Sequence, residues 1–80
     1  MDEWFDRLVK ALDEGPARRM LQEVGTPQAL RAFDRLAAET RARRWLAEGV
    51  TLNEVAHRMG VRAGVSVVTA YRWLREMKKD

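Results

Sequence analysis

Between Asn53 and Arg75 the chain carries side chains whose chemistry matches the edges and backbone of duplex DNA: Asn53, Arg62, Ser66, Val67, Val68, Thr69, Tyr71, Arg72 and Arg75. Arginine binds guanine O6 and N7 bidentately, valine meets the C5-methyl of thymine, and asparagine, serine, threonine and tyrosine hydrogen-bond to phosphate oxygens. Arg72 is the strongest single candidate for base readout. Asn53 is the candidate for a phosphate contact assisted by backbone N–H groups at a helix start. The rival reading places Val67 and Val68 in the protein core, and leaves Arg62, Arg75, Lys78 and Lys79 as a solvated basic surface.

Two short helices and a turn are needed to position that set. Thr51 and Glu54 form a T-x-x-E capping box, which opens a helix. Leu52, Val55, Ala56 and Met59 then recur at three- and four-residue spacing as one apolar face, and Gly60 is expected to end the helix with a positive φ. Ala56 suits a close helix crossing. Ser66 is the expected N-cap of a last helix, Ser66 to Lys79, with Ala70, Trp73, Leu74 and Met77 facing the core. This pattern predicts a helix-turn-helix over Thr51 to Leu74, and duplex DNA as the partner.

Upstream, Trp4, Phe5, Leu8, Val9 and Leu12 form a wide apolar stripe on a helix from about Asp2 to Asp13, which Gly15-Pro16 is expected to stop. Pro16 can also serve as the first residue of a short second helix, Ala17 to Val24, ended by Gly25, with Met20, Leu21 and Val24 as its apolar residues. Thr26-Pro27 sets an N-cap before proline and opens a long helix reaching to about Glu48, before Gly49. Its expected inner face is Leu30, Phe33, Leu36, Ala37 and Thr40, with Trp45 and Leu46 returning to the core. The basic run Arg41 to Arg44 reads as a solvated face or a phosphate contact. Trp4, Trp45 and Trp73 sit at core spacing, so packing is preferred over base stacking for all three. Only Val65 to Thr69 leans toward strand, through its valines. The expected class is all-α: one domain over 1–80, with 1–49 as a helical core and dimerisation region and 51–79 as the DNA-binding region.

Composition narrows the function. The 80 residues carry a net charge of +3, and the charge is uneven. Met1 to Thr40 has six basic and eight acidic residues, whereas Arg41 to Asp80 has nine basic and four acidic, so the basic half holds the motif. Twelve of the 15 basic residues are arginine, which suits phosphate and guanine, although a GC-rich genome produces the same bias. The absence of cysteine excludes disulfides, thiolate catalysis and cysteine-ligated zinc. His57 is the only histidine and Ser66 the only serine, no glycine-rich phosphate loop is present, and Asp13, Glu14 and Asp34 show no catalytic spacing. Neither catalysis, a metal nor a cofactor is expected. No apolar run approaches the roughly 20 residues of a membrane span, and Asp2, Glu3 and Asp6 do not suit a signal peptide, so a cytoplasmic protein with no membrane partner is expected. A chain this short buries only about two-thirds of its unfolded surface, which favours self-association.

From about Leu12 to Met77 the chain resembles the Trp repressor superfamily, in particular its branch of Trp-repressor-related regulators. The resemblance is carried by GTPQAL (Gly25 to Leu30), LAAETRARRWLAEG (Leu36 to Gly49), TLNEVAHRMG (Thr51 to Gly60) and GVSVVTAYRWL (Gly64 to Leu74). The last two are general helix-turn-helix text, and GVSVVTAYRWL also looks like the end of transposase and recombinase DNA-binding modules. The resemblance implies an interleaved all-α homodimer, with two recognition helices about 34 Å apart on a palindromic site. It also implies a transcriptional regulator. Relative to the usual G-V-S-x-x-T pattern, four residues are inserted between Gly60 and Ser66, so the turn is either looped out or the last helix starts early. Glu39 occupies the place of the superfamily's ligand-binding arginine in the long helix, and the second such arginine maps to Arg72 or Ala70. An acid at Glu39 repels a carboxylate ligand, which speaks against a tryptophan corepressor. Two other readings stand beside regulation: the DNA-binding subunit of a transposition or recombination system, and a helical protein-interaction module docking through Val67, Val68 and Tyr71.

Overall fold

The computed structural model of the chain describes residues 3–78. Among them are five α-helices: α1 (Glu3–Leu12), α2 (Glu14–Val24), α3 (Pro27–Ala47), α4 (Leu52–Ala63) and α5 (Val67–Lys78). There is no strand among the described residues; the β-prone stretch at Val65 closes a turn and its valines open α5. The expected helix ends at Asp2 and Lys79 lie outside the described residues. No helix is long and apolar enough to cross a membrane. The chain divides into two compact units, Met1–Ala37 and Ala38–Asp80.

In the first unit, α1 and α2 meet at a single residue. Pro16 lacks an N–H, and its ring would collide with the carbonyl four residues back, so no continuous helix can run through Leu12 to Pro16. The break falls at Asp13, which takes φ 66° and ψ 166°. Pro16 thus ends α1 as expected and also serves the start of α2, which opens two residues earlier than Pro16, at Glu14; in that first turn the missing N–H has no helical acceptor to lose. The backbone at Asp13 belongs to a region populated essentially by glycine, at a cost of about 1–3 kcal/mol. Asp13→Gly is accordingly expected to stabilise the protein by about 1 kcal/mol after the extra chain entropy of glycine is offset, raising the midpoint of a thermal melt by about 4–8 °C.

The core of this unit is Phe5, Ala17, Phe33 and Ala37, with Leu8, Val9, Leu21 and Leu36 packed around it. The rings of Phe5 and Phe33 lie 5.0 Å apart in a tilted pair. Arg18 on α2 donates to both carboxylate oxygens of Asp34 on α3, from Nε at 2.8 Å and Nη2 at 3.1 Å. That hydrogen bond, and then the Asp34 charge, raise the pKa of Arg18. Several residues expected inside are exposed instead. Trp4 stands edge-on to Phe5 and is 42% exposed, and Leu12, Met20 and Val24 also reach solvent. Their stripes are wider than the side facing Phe33.

The Thr26 cap forms as expected, with the Ala29 N–H donating to Thr26 Oγ1 at 3.1 Å. α3 gives Phe33 and Ala37 to the first core, and Ala38, Ala42 and Trp45 to the second. Thr40, assigned to the inner face from the sequence, is exposed, and Leu46 is 37% exposed. Past α3, Gly49 at φ 91° turns the chain so that the Val50 N–H reaches the Trp45 carbonyl at 3.0 Å. The second core consists of Ala38, Ala42, Val55, Ala56, Met59, Ala70 and Leu74, flanked by Trp45, Val50, Ala63, Tyr71, Trp73 and Met77. Ala56 is fully buried. Leu52, placed on the same face from the sequence, remains 37% exposed because it opens the helix ahead of the buried turn.

Candidate nucleic-acid interface

α4 runs about one turn past Gly60, so the stretch between Gly60 and Ser66 is neither looped out nor taken up by an early start of α5. Gly60 does not end the helix; it is a buried interior residue, and α4 continues to Ala63. Gly64 takes the left-handed conformation at φ 69° and ψ 32°, and the Val65 N–H returns to the Gly60 carbonyl at 3.0 Å, which makes a Schellman ending. A Cβ at Gly60 would stand 3.0 Å from the Val65 carbonyl oxygen, so Gly60 serves the close approach of the turn to α4. Both glycines matter, for different reasons.

At its start α4 is capped by Thr51, whose Oγ1 accepts from the Glu54 N–H at 3.3 Å. The Glu54 carboxylate is engaged by Arg58 Nε at 3.2 Å instead of completing the capping box. Ser66 caps α5, accepting from the Thr69 N–H at 3.1 Å, and its hydroxyl donates to Thr69 Oγ1 at 3.0 Å. The Ser66 hydroxyl thus serves the helix start, while the Thr69 hydroxyl, which accepts from it, keeps its own proton to donate. Val67 is half-buried and Ala70 and Leu74 are buried, fixing the inner side of α5.

Val68, Arg72 and Arg75 follow at i, i+4 and i+7, and all three are exposed, with Val68 at 70%. They form one outward stripe on α5. Of the two valines, therefore, one leans inward and one faces solvent. Asn53 and Tyr71, 18 residues apart, are joined: the Tyr71 hydroxyl donates to Asn53 Oδ1. This ties the start of α4 to the second turn of α5. Tyr71 and Arg75 border a recess floored by Leu52 and Leu74. At about 250 Å³ it falls below the roughly 300–1,000 Å³ of small-molecule pockets. The Leu52 and Asn53 N–H groups at the head of α4 lack intrahelical acceptors and sit on the same helix end. Tyr71→Phe is expected to cost about 0.5–1.5 kcal/mol, read as a lower denaturation midpoint with unchanged helicity.

Arg62 is separated from this set. It lines an open apolar groove with Trp45, Glu54, His57, Arg58 and Val61, in which the Arg58 guanidinium lies 5.4 Å from the centre of the Trp45 ring. Sequence reasoning missed this groove. Its signal was Val61, an apolar residue in the last turn of α4 that belongs to no inward stripe and is 84% exposed. His57 is exposed, and no group of three or more histidine, cysteine or acidic residues able to hold a metal occurs among the described residues. Compared with protein-family models, curated proteins and solved structures, the chain matches none of them.

Proposed function

We propose that α4 and α5 act as a helix-turn-helix that binds duplex DNA, with α5 entering the major groove of a regulatory site. The observation that carries this reading is the exposed stripe of Val68, Arg72 and Arg75 on a helix whose other side is buried against α4. Arg72 supplies a bidentate contact to guanine, and Arg75, beside the start of α4, supplies phosphate affinity together with Asn53 and the free backbone N–H groups there. The asymmetry of charge between the two halves of the sequence adds attraction independent of base sequence. Glu39, an acid where the superfamily carries a ligand-binding arginine, favours DNA binding without a tryptophan switch.

The reading includes a homodimer, as the resemblance to Trp-repressor-related regulators implies. Trp4, Met20 and Val24 are exposed on a unit with only four buried core residues, and a second chain would cover such apolar surface. The test is selection of binding sites from a random duplex pool at two salt concentrations. Enrichment of a palindrome supports the reading; no binding at low salt sinks it. The groove of Trp45, His57 and Val61 favours a second reading, a helical protein-interaction module. An apolar interface responds weakly to salt, whereas phosphate binding weakens steeply, so the same two salt concentrations separate the alternatives.

A further inference from the structure

We propose that Val68 reads the C5-methyl group of a pyrimidine in the major groove, within the half-site whose guanine is held by Arg72. The inference rests on the duplex-DNA reading above and adds to it the chemical group that is recognised. Apart from that methyl, the base edges in the groove offer hydrogen-bond donors and acceptors. Packing an aliphatic side chain against those would strip water from polar atoms without replacing their hydrogen bonds. The C5-methyl projects further into the groove than the C–H edges of cytosine C5 and purine C8, and is the largest apolar surface there for valine to meet.

Three features of Val68 suit it to that task. It is 70% exposed and one helical turn before Arg72 on the outward stripe, so both side chains face the same way. As a β-branched residue in a helix it holds one dominant rotamer, which leaves little side-chain freedom to lose on contact. At an exposed helical position valine is also a poorer helix former than alanine, lysine or glutamate, so its presence brings α5 no structural benefit. The rise from Val68 to Arg72 is about 6 Å along the helix axis, against 3.4 Å per base-pair step. The methyl and the guanine therefore fall within about two steps of each other.

The experiment uses the duplex selected by the full-length protein. Each thymine of a half-site is replaced in turn by deoxyuridine, which removes the methyl and leaves base pairing intact. Binding of the wild type, Val68→Ala and Arg72→Ala is followed by fluorescence anisotropy at one salt concentration. At one position deoxyuridine should weaken the wild type about fourfold per half-site, as expected for one buried methyl. Val68→Ala should bind the thymine duplex about as weakly as the wild type binds the deoxyuridine duplex, and should be indifferent to the replacement. Arg72→Ala should bind more weakly yet keep its sensitivity. A wild type indifferent at every thymine, a selected half-site lacking thymine, or a Val68→Ala variant as sensitive as the wild type would overturn the inference and leave DNA binding standing. Failure to bind any duplex at low salt would overturn both.

Discussion

Phe33→Ala is expected to unfold the first unit while much of the second survives. Phe33 is the largest fully buried side chain in the chain's first half, and it is central to a core of only four buried residues. Truncating a buried phenylalanine costs about 3–5 kcal/mol, through lost transfer energy and the cavity left behind. The Arg18–Asp34 pair cannot compensate. Both side chains are more than a third exposed, at 43% and 36%, so solvent screening holds their contribution to about 0–1 kcal/mol. With whole domains stable by only about 5–15 kcal/mol, a unit of this size has no margin for such a loss. Native-state hydrogen exchange is the measurement. Amides of α1 and α2 should lose protection, while those around Val55, Met59 and Leu74, which belong to the second core, should retain it. Equal loss through α4 and α5 would show that both cores belong to one cooperative unit.

Features set by neighbouring residues were legible in the sequence. Thr26, Thr51 and Ser66 cap helices as their types and spacing indicate, because a cap is decided by one side chain and a backbone N–H three residues away. Choices between two locally equivalent residues were not. Gly60 and Gly64 both suit a helix end, and the decision came from the close approach of the Val65 carbonyl to Gly60, a contact that arises only once the turn is folded. Asp13 is similar: Pro16 forbids a helix through the preceding four residues, but the sequence does not say which of them absorbs the break. The inner face of α3 was misread at Thr40 because one stripe was drawn along a helix that serves two cores, the second beginning at Ala38.

The candidate interface divides in the same way. Exposure of Arg72 and Arg75 followed from helical periodicity. The joining of Asn53 to Tyr71 and the different fates of Val67 and Val68 required the packing of α5 against α4. Of the nine candidate residues, Val68, Arg72 and Arg75 share the outward stripe of α5, while hydrogen bonds between side chains engage Asn53, Ser66, Thr69 and Tyr71.

The sharpest expected contrast is between Arg72→Ala and Arg75→Ala. Arg72 lies on the outward stripe in the second turn of α5, one turn beyond Val68, a position that on the duplex-DNA proposal faces base edges. Losing a bidentate contact to guanine costs about 1–3 kcal/mol, so Arg72→Ala should weaken the selected duplex roughly 10- to 100-fold while leaving binding to an unrelated duplex nearly unchanged. Arg75 lies beside Leu52 and Tyr71 at the head of α4, and on the duplex-DNA proposal it contacts phosphate. Arg75→Ala should weaken all duplexes alike and lower the salt dependence by about one released counterion. Neither change touches a buried group, so the two proteins should melt close to the wild type, and differences in binding report on the interface. Titrations of both variants against the selected and the unrelated duplex, at several salt concentrations, measure specificity and salt slope together. Identical behaviour of the two variants would mean that neither arginine reads a base, and that affinity rests on phosphate contacts alone.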